Sequence, residues 1–359
     1  MAIAAIASPS PDAEYRLRAA QIADSMDVKL LAAQVILTAV SGKETVPEAT
    51  RKLLTEIPAG GIMLFGYNIV PNPEKNRAFI EELSNFIASL TLPPFIASDQ
   101  EGGPVQRIRG KAALPAPLSY WEKLSANQNS NADTVISAIE QEATQAGKEL
   151  RRLGVTMNLA PLAEVLTEEN KPFLKNRSYG PDPIFTTNAA AAFIRGMENA
   201  KIASTVKHFP GNSSADPHYH KAVLGASEAE LEMMIEPFRE LARRETPAVI
   251  MASHVIVPSW DAKPLTRSPI GVKHIREMGF TGIIMADDFA MAAAGAPPEI
   301  AVVEALAAGV DMVMAWPKDM PKIYAAILKA LETGTLAEER IKEAAERLIY
   351  QKIRYGVVN

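Results

Sequence analysis

Three separated groups of residues carry chemistry in this chain. Lys207-His208-Phe209-Pro210-Gly211 follows an apolar run and delivers a cation beside an imidazole. Asp216-Pro217-His218 sets a carboxylate two residues from a second imidazole. Asp287 stands at the end of another apolar run, far along the chain. A Lys–His pair can grip hydroxyls through charge-assisted hydrogen bonds. An Asp-x-His pair can hold an imidazole ready to give and take a proton near neutral pH. A carboxylate can act as a nucleophile. Few reactions need all three, and cleavage of a glycosidic bond is one.

These groups need a rigid support, and the hydropathy pattern describes one. Short, nearly continuous apolar runs recur at Val35–Ala39, Gly61–Phe65, Phe95–Ser98, Thr156–Leu159, Ala203–Lys207, Ala248–Ala252, Gly282–Ala286 and Val310–Ala315. Such runs suit strands of a parallel sheet covered on both faces. Amphipathic segments lie between them at Pro73–Leu90, Ala132–Leu153, Thr187–Ala200, Ser227–Arg244 and Pro298–Ala308, and a last one spans 335–356. Eight strands alternating with helices predict a single (β/α)₈ TIM-like barrel, a fold of roughly 250 residues or more. No Pro- or Ser-rich linker divides the 359 residues, so the barrel is expected over 13–359 with helices at its C-terminal end, after a loose tail over 1–12.

Polar residues follow the runs where a barrel uses them: Asp99, Asn158, Lys207 with His208, His254, and Asp287 with Asp288. Barrel chemistry is built at the C-terminal ends of strands. Gly102-Gly103 reads as a tight turn beside the site, since it lacks the spacing of a phosphate-cradling loop.

Composition removes several function classes. Hydrophobic residues make up 48% and charged residues 22%, enough for a large core. A net charge of −5 argues against nucleic acid as a partner. No apolar run reaches the roughly 20 residues of a membrane span. With no cysteine, thiolate chemistry and Cys-ligated metal are excluded. The apolar start ending Ala5-Ile6-Ala7 fits either a processed, exported precursor or an ordinary frayed end, and a cytoplasmic location is slightly favoured. Oligomeric state leaves no mark in the sequence.

The ordered motifs resemble the single-domain bacterial β-N-acetylglucosaminidases of glycoside hydrolase family three. They are Asp99-Gln-Glu-Gly-Gly103 with Val105-Gln-Arg107, Asn158-Leu-Ala-Pro161, Arg177-Ser-Tyr-Gly-Pro-Asp-Pro183, Lys207-His-Phe-Pro-Gly211, Met251-Ala-Ser-His254, and Gly279-Phe-Thr-Gly282 leading to Asp287-Asp288. The resemblance implies a barrel, retention of anomeric configuration, a small carbohydrate substrate and no cofactor or metal. It casts Asp287 as nucleophile and His218 with Asp216 as the acid/base dyad on a loop after the fifth strand. Asp99, Arg177, Lys207 and His208 would hold the sugar, with Arg107 in support.

The chain departs from the family pattern in three places. Asn212-Ser-Ser-Ala215 replaces the usual His-Gly-Asp-Thr, in a segment about two residues shorter. Ala286 replaces the Ser before the nucleophile, and Pro104 stands where an Arg often follows Glu-Gly-Gly. Other readings remain open: a phosphorylase or β-glucosidase of the same family, a metal-dependent hydrolase using Asp216, His218 and His220, or a sugar-binding barrel without activity. His220 also rivals His218, and Arg177 admits a structural ion pair.

Overall fold

The computed structural model describes residues 11–126 and 131–358. Helix α1 (Pro11–Ser25) and α2 (Val28–Gln34) precede strand β1 (Ile36–Ala39). Then come α3 (Glu48–Glu56), β2 (Gly61–Leu64), α4 (Pro73–Ala88) and β3 (Phe95–Ser98). A small hairpin, β4 (Gln100–Gly102) and β5 (Val105–Gln106), leads to α5 (Leu118–Ser125), α6 (Ala132–Leu153) and β6 (Met157–Asn158). The chain continues through α7 (Lys171–Leu174), α8 (Pro183–Asn199), β7 (Ala203–Phe209), α9 (Glu228–Arg244), β8 (Val249–Ala252), α10 (Pro269–Glu277) and β9 (Ile283–Ala286). It ends with α11 (Pro298–Ala308), β10 (Val313–Ala315), α12 (Met320–Glu332) and α13 (Glu338–Arg354).

Eight of these strands form one sheet in the order β10-β1-β2-β3-β6-β7-β8-β9. Every pairing in it is parallel. A bridge between Met285 and Met312 joins β9 to β10 and closes the ring. The expected barrel is therefore present. Its strands are buried at nearly every residue, which is why they read as unbroken apolar runs rather than alternating ones. Leu37, Met63, Phe95, Met157, Leu159, Met251, Met285, Met312 and Met314 fill the interior. A second apolar layer packs the outer faces of the strands against the helices.

Local signals set the helix ends. Asn72, Asn131, Asp182, Ser227 and Ser268 each accept a backbone N–H at a helix start. Ser227 and Glu230 form a reciprocal capping box. Gly154 ends α6 at φ 95°, in the left-handed region. The first ten residues of the expected tail lie outside the described residues; Pro11 and Asp12 open α1, where the Asp12 carboxylate takes bonds from Arg16 and Tyr350.

Candidate active site

The C-terminal strand ends surround a cavity of about 340 Å³. Asp99, Arg107, Arg177, Lys207, His208, His218 and Asp287 all line it. Met63, Leu159, Met251 and Met314 from the barrel interior make an apolar floor, and Phe65, Phe173 and Trp316 stand around it.

The cationic side is a closed ionic cluster. Lys207 leaves β7 beside a register shift against β8, which falls between Lys207 and Phe209. Its Nζ lies 2.9 Å from Asp99 Oδ1 and 2.7 Å from Glu101 Oε1. Arg107 Nη2 donates to Asp99 Oδ2 at 2.9 Å. Arg177 grips Glu101 through two parallel bonds, Nε to Oε2 at 2.8 Å and Nη2 to Oε1 at 2.9 Å. Burial alone pushes the Asp99 carboxyl up, but the charges of Lys207 and Arg107 outweigh it and hold the group at about 2. Burial opposes the charge on Lys207 too, and the two carboxylates overcome it, so the lysine stays protonated.

Glu101 was not singled out by the sequence reading. It sits two residues after Asp99, and that spacing returns both carboxylates to one side of the extended chain. Arg177 therefore has an ion-pair partner as well as a place in the cavity wall. The hairpin turn that carries Glu101 needs its glycine: Gly102 has φ 104°, and a Cβ there would lie 2.1 Å from the Pro115 carbonyl oxygen.

Glu164 is a second residue that sequence reasoning missed. Its carboxylate is fully buried. His208 donates from Nδ1 to Glu164 Oε1 at 2.7 Å, and Asn212 donates its backbone N–H to Oε2 at 2.7 Å. The Asn212 side chain adds two bonds of 3.1 Å. The departure at Asn212 thus ties the start of the dyad loop to the ring orientation of His208. A lone acid within the apolar stretch Ala160–Val165 was the available signal.

The dyad stands at the cavity mouth. His218 donates from Nδ1 to Asp216 Oδ1 at 2.8 Å, and its backbone N–H donates to the same oxygen at 3.0 Å. That arrangement leaves Nε2 as the free ring atom. Burial is the largest single influence on the Asp216 carboxyl and raises it, but the His218 backbone and ring bonds, with the nearby imidazole charge, together outweigh it and hold the group below its ordinary value. Asp216 itself is not part of the cavity wall, and His220 is exposed outside it. Among the described residues, no group of three or more His, Asp or Glu side chains could hold a metal ion, so Asp216, His218 and His220 do not converge as ligands.

Asp287 follows β9, with its backbone N–H on the Ala252 carbonyl at 3.0 Å and its Oδ1 accepting the Asp288 N–H at 2.9 Å. The loops bearing Asp287 and His218 are joined directly. Ala292 N–H donates to the His218 carbonyl at 3.3 Å, and Ala293 N–H to the Pro217 carbonyl at 3.0 Å. His254 lies behind the cavity wall. Its Nε2–H donates to the Asp288 carbonyl at 3.1 Å, and its Nδ1 lies 2.7 Å from the Thr266 hydroxyl, which serves either protonation state of that nitrogen. Burial lowers its basicity.

The model of the glycosyl hydrolase family 3 N-terminal domain matches residues 26–350. The β-hexosaminidase of Methylococcus capsulatus is 33% identical over 294 residues, covering 79% of this chain and 83% of that protein. The β-hexosaminidase of Haemophilus influenzae is 32% identical over 267 residues, covering 72% of each. A solved structure of a family 3 β-N-acetylglucosaminidase from a Paenibacillus species superimposes with a TM-score of 0.84 at 27% identity. That alignment covers 93% of this chain and 63% of the longer Paenibacillus chain. Among the described residues no helix is long and apolar enough to cross a membrane. A match over most of the chain, relatives identical at about a third of the aligned residues, and the same barrel together establish that this chain belongs to glycosyl hydrolase family 3.

Proposed function

We propose that the protein is a retaining exo-β-N-acetylglucosaminidase that removes terminal β-linked N-acetylglucosamine from muropeptide- or chitooligosaccharide-type substrates. The observation that carries this reading is the shared cavity. One imidazole placed for proton transfer, one carboxylate without an ion-pair partner among the described residues and an ionic cluster suited to hydroxyls face the same 340 Å³. The names of the relatives support the choice of sugar.

In this reading Asp99, Arg107, Lys207, His208 and Arg177 bind the hydroxyls of the terminal sugar, with Glu101 and Glu164 fixing the cations and the His208 ring. Asp287 attacks the anomeric carbon as the bond to the aglycone oxygen breaks, and His218 Nε2 gives its proton to that oxygen. The Asp216 carboxylate stabilises the charged ring before transfer and fixes its orientation throughout. In the second half, neutral His218 takes a proton from water, the water oxygen bonds to the anomeric carbon, and the Asp287 carboxylate departs. The two backbone bonds between the loops keep acid and nucleophile in register.

A panel of aryl β-glycosides, assayed with and without inorganic phosphate, tests this. The expected result is release of phenol from the β-N-acetylglucosaminide with free sugar as product and no dependence on phosphate. Turnover that requires phosphate and yields sugar 1-phosphate would assign phosphorolysis instead. Preference for the β-glucoside would change the sugar.

A further inference from the structure

One feature of the cavity has no part in the chemistry above. Phe65 leaves β2 and Trp316 leaves β10, so both stand at the level of Asp99 and Asp287. Their rings stack with centroids 5.2 Å apart and planes 24° from parallel. Tyr67 continues the stack at 5.6 Å and 10°. Phe65 and Trp316 line the cavity; Tyr67 is 55% exposed and stands outside it.

Polar groups anchor two of these rings, Phe65 in the middle and Trp316 at one end. Asn68 is fully buried: its Oδ1 accepts the Phe65 N–H at 2.9 Å, and its Nδ2 donates to the carbonyls of Val40 at 3.0 Å and Gly42 at 2.7 Å. Trp316 Nε1 donates to Asp288 Oδ2 at 2.7 Å, and Asp288 Oδ1 accepts the Ala290 N–H at 2.8 Å. The Arg107 guanidinium, already paired with Asp99, lies 5.8 Å from the Phe65 centroid. Asp288 therefore spends both carboxylate oxygens on structure, and the structure it fixes is a ring facing the cavity.

A row of partly exposed aromatic rings at a polar barrel mouth gains little as packing, because apolar surface left in water contributes nothing to the core. A pyranose ring has a hydroxyl rim and a C–H face. The ionic cluster serves the rim and leaves the C–H face to be met by something apolar and flat. We infer that Trp316, held by Asp288 and backed on one face by the Phe65–Tyr67 stack, is the platform for the apolar face of the bound sugar. Asp288 is then a positioning residue. The inference rests on the sugar-binding reading of the cavity but not on hydrolysis.

Tryptophan fluorescence tests it, because the chain has three tryptophans and only Trp316 lines the cavity. Trp121 packs on Phe185, and Trp260 lies between Phe209 and His274. Titrating the wild type with N-acetylglucosamine should change the emission, and Trp316→Phe should abolish that change. Trp316→Ala should raise KM for the aryl β-N-acetylglucosaminide about tenfold with a much smaller effect on kcat. Asp288→Ala should raise KM in the same way, and the double variant with Trp316→Phe should be no worse than the worse single one.

A fluorescence response that survives Trp316→Phe, or an unaltered KM in Trp316→Ala, overturns the platform. So does a wild type whose emission ignores the sugar. A fall in kcat with a displaced pH profile and unchanged KM in Asp288→Ala assigns Asp288 to its neighbour Asp287 and overturns the positioning role. Sugar-dependent fluorescence in a wild type that hydrolyses no N-acetylglucosaminide leaves the platform standing and removes the proposed reaction.

Discussion

Two clusters of buried ionic groups sit at opposite ends of the barrel, and their difference separates support from chemistry. At the N-terminal end, Asp311 precedes β10 with its side chain fully buried. It receives Arg276, Arg340 and Arg347 and also the Ile284 N–H. Arg276 also donates to the carbonyls of Phe280 and Gly282, and Arg340 to those of Leu306 and Val310, while Arg340 and Arg347 share Glu343 as a second carboxylate. This cluster ties loops to the base of the strands. At the C-terminal end, Asp99, Glu101, Lys207, Arg107 and Arg177 pair only side chain with side chain and line a cavity. Arg107 Nε is buried there without a protein partner. Both ends contain carboxylates surrounded by cations. What marks the one proposed to bind substrate is that its groups face space rather than backbone.

That contrast can be broken by mutation. The largest expected effect is Asp287→Ala, which should lower kcat by roughly 10⁴-fold or more while leaving the unfolding midpoint near that of the wild type, because among the described residues the carboxylate has no ion-pair partner and its one hydrogen bond is to the adjacent Asp288 N–H. Full activity in Asp287→Asn would remove the nucleophile assignment. His218→Ala should come next, with a loss of about 10²- to 10⁴-fold on oligosaccharides and much less on aryl glycosides whose leaving groups need little protonation. Equal losses on the two would count against the acid role.

At the other end, Asp311→Asn should leave kcat/KM unaltered below the unfolding transition but cost about 3–5 kcal/mol of stability in denaturant titration, because Arg276 loses its counter-charge and Arg340 and Arg347 are left with Glu343 alone. An activity loss without destabilisation would erase the distinction between the ends. The smallest effect belongs to Lys352, which enters the base of the barrel from α13 and donates only to Gln34 Oε1 at 2.7 Å. Burial pushes its amine from 10.5 down to about 7. The unfolded chain then binds a proton that the folded one lacks between those values, so this site costs no stability above about pH 10.5, costs progressively more as pH falls from there to about 7, and keeps that full cost below. Lys352→Met should therefore raise the thermal midpoint at pH 6 and lose that advantage towards pH 10. A gain that does not vary with pH would refute the assignment.

Much of the fold was legible because a buried parallel strand leaves a plain trace. The runs at Gly61–Phe65, Phe95–Ser98 and Gly282–Ala286 match the observed strands within a residue at each end, and α6 and α11 have the expected bounds. The run Val310–Ala315 is strand only from Val313, because Asp311 and Met312 are bonded to the Ile284 carbonyl as β10 closes the ring. α8 begins at Pro183, four residues before its apolar stretch suggested, since Asp182 caps it and Pro183 fits its first turn.

The site was legible where a polar residue ended an apolar run, as at Asp99, Lys207 and Asp287. It was not legible at Glu101 and Glu164, whose partners lie far away in sequence: Arg177 is 76 residues from Glu101, and His208 is 44 from Glu164. Nor was it legible at Phe65 and Trp316, because an aromatic residue at a strand end reads as core. Only the ring closure, which brings β2 and β10 to either side of β1, turns those rings towards the cavity.

The most direct measurement of the central claim is covalent capture. Incubation with a slowly released 2-fluoro glycosyl fluoride, followed by intact-mass and peptide analysis, should show one added sugar, located on the peptide containing Asp287 and absent from Asp287→Ala. A sugar attached to another carboxylate, or steady turnover with inverted product and no adduct, would contradict the account.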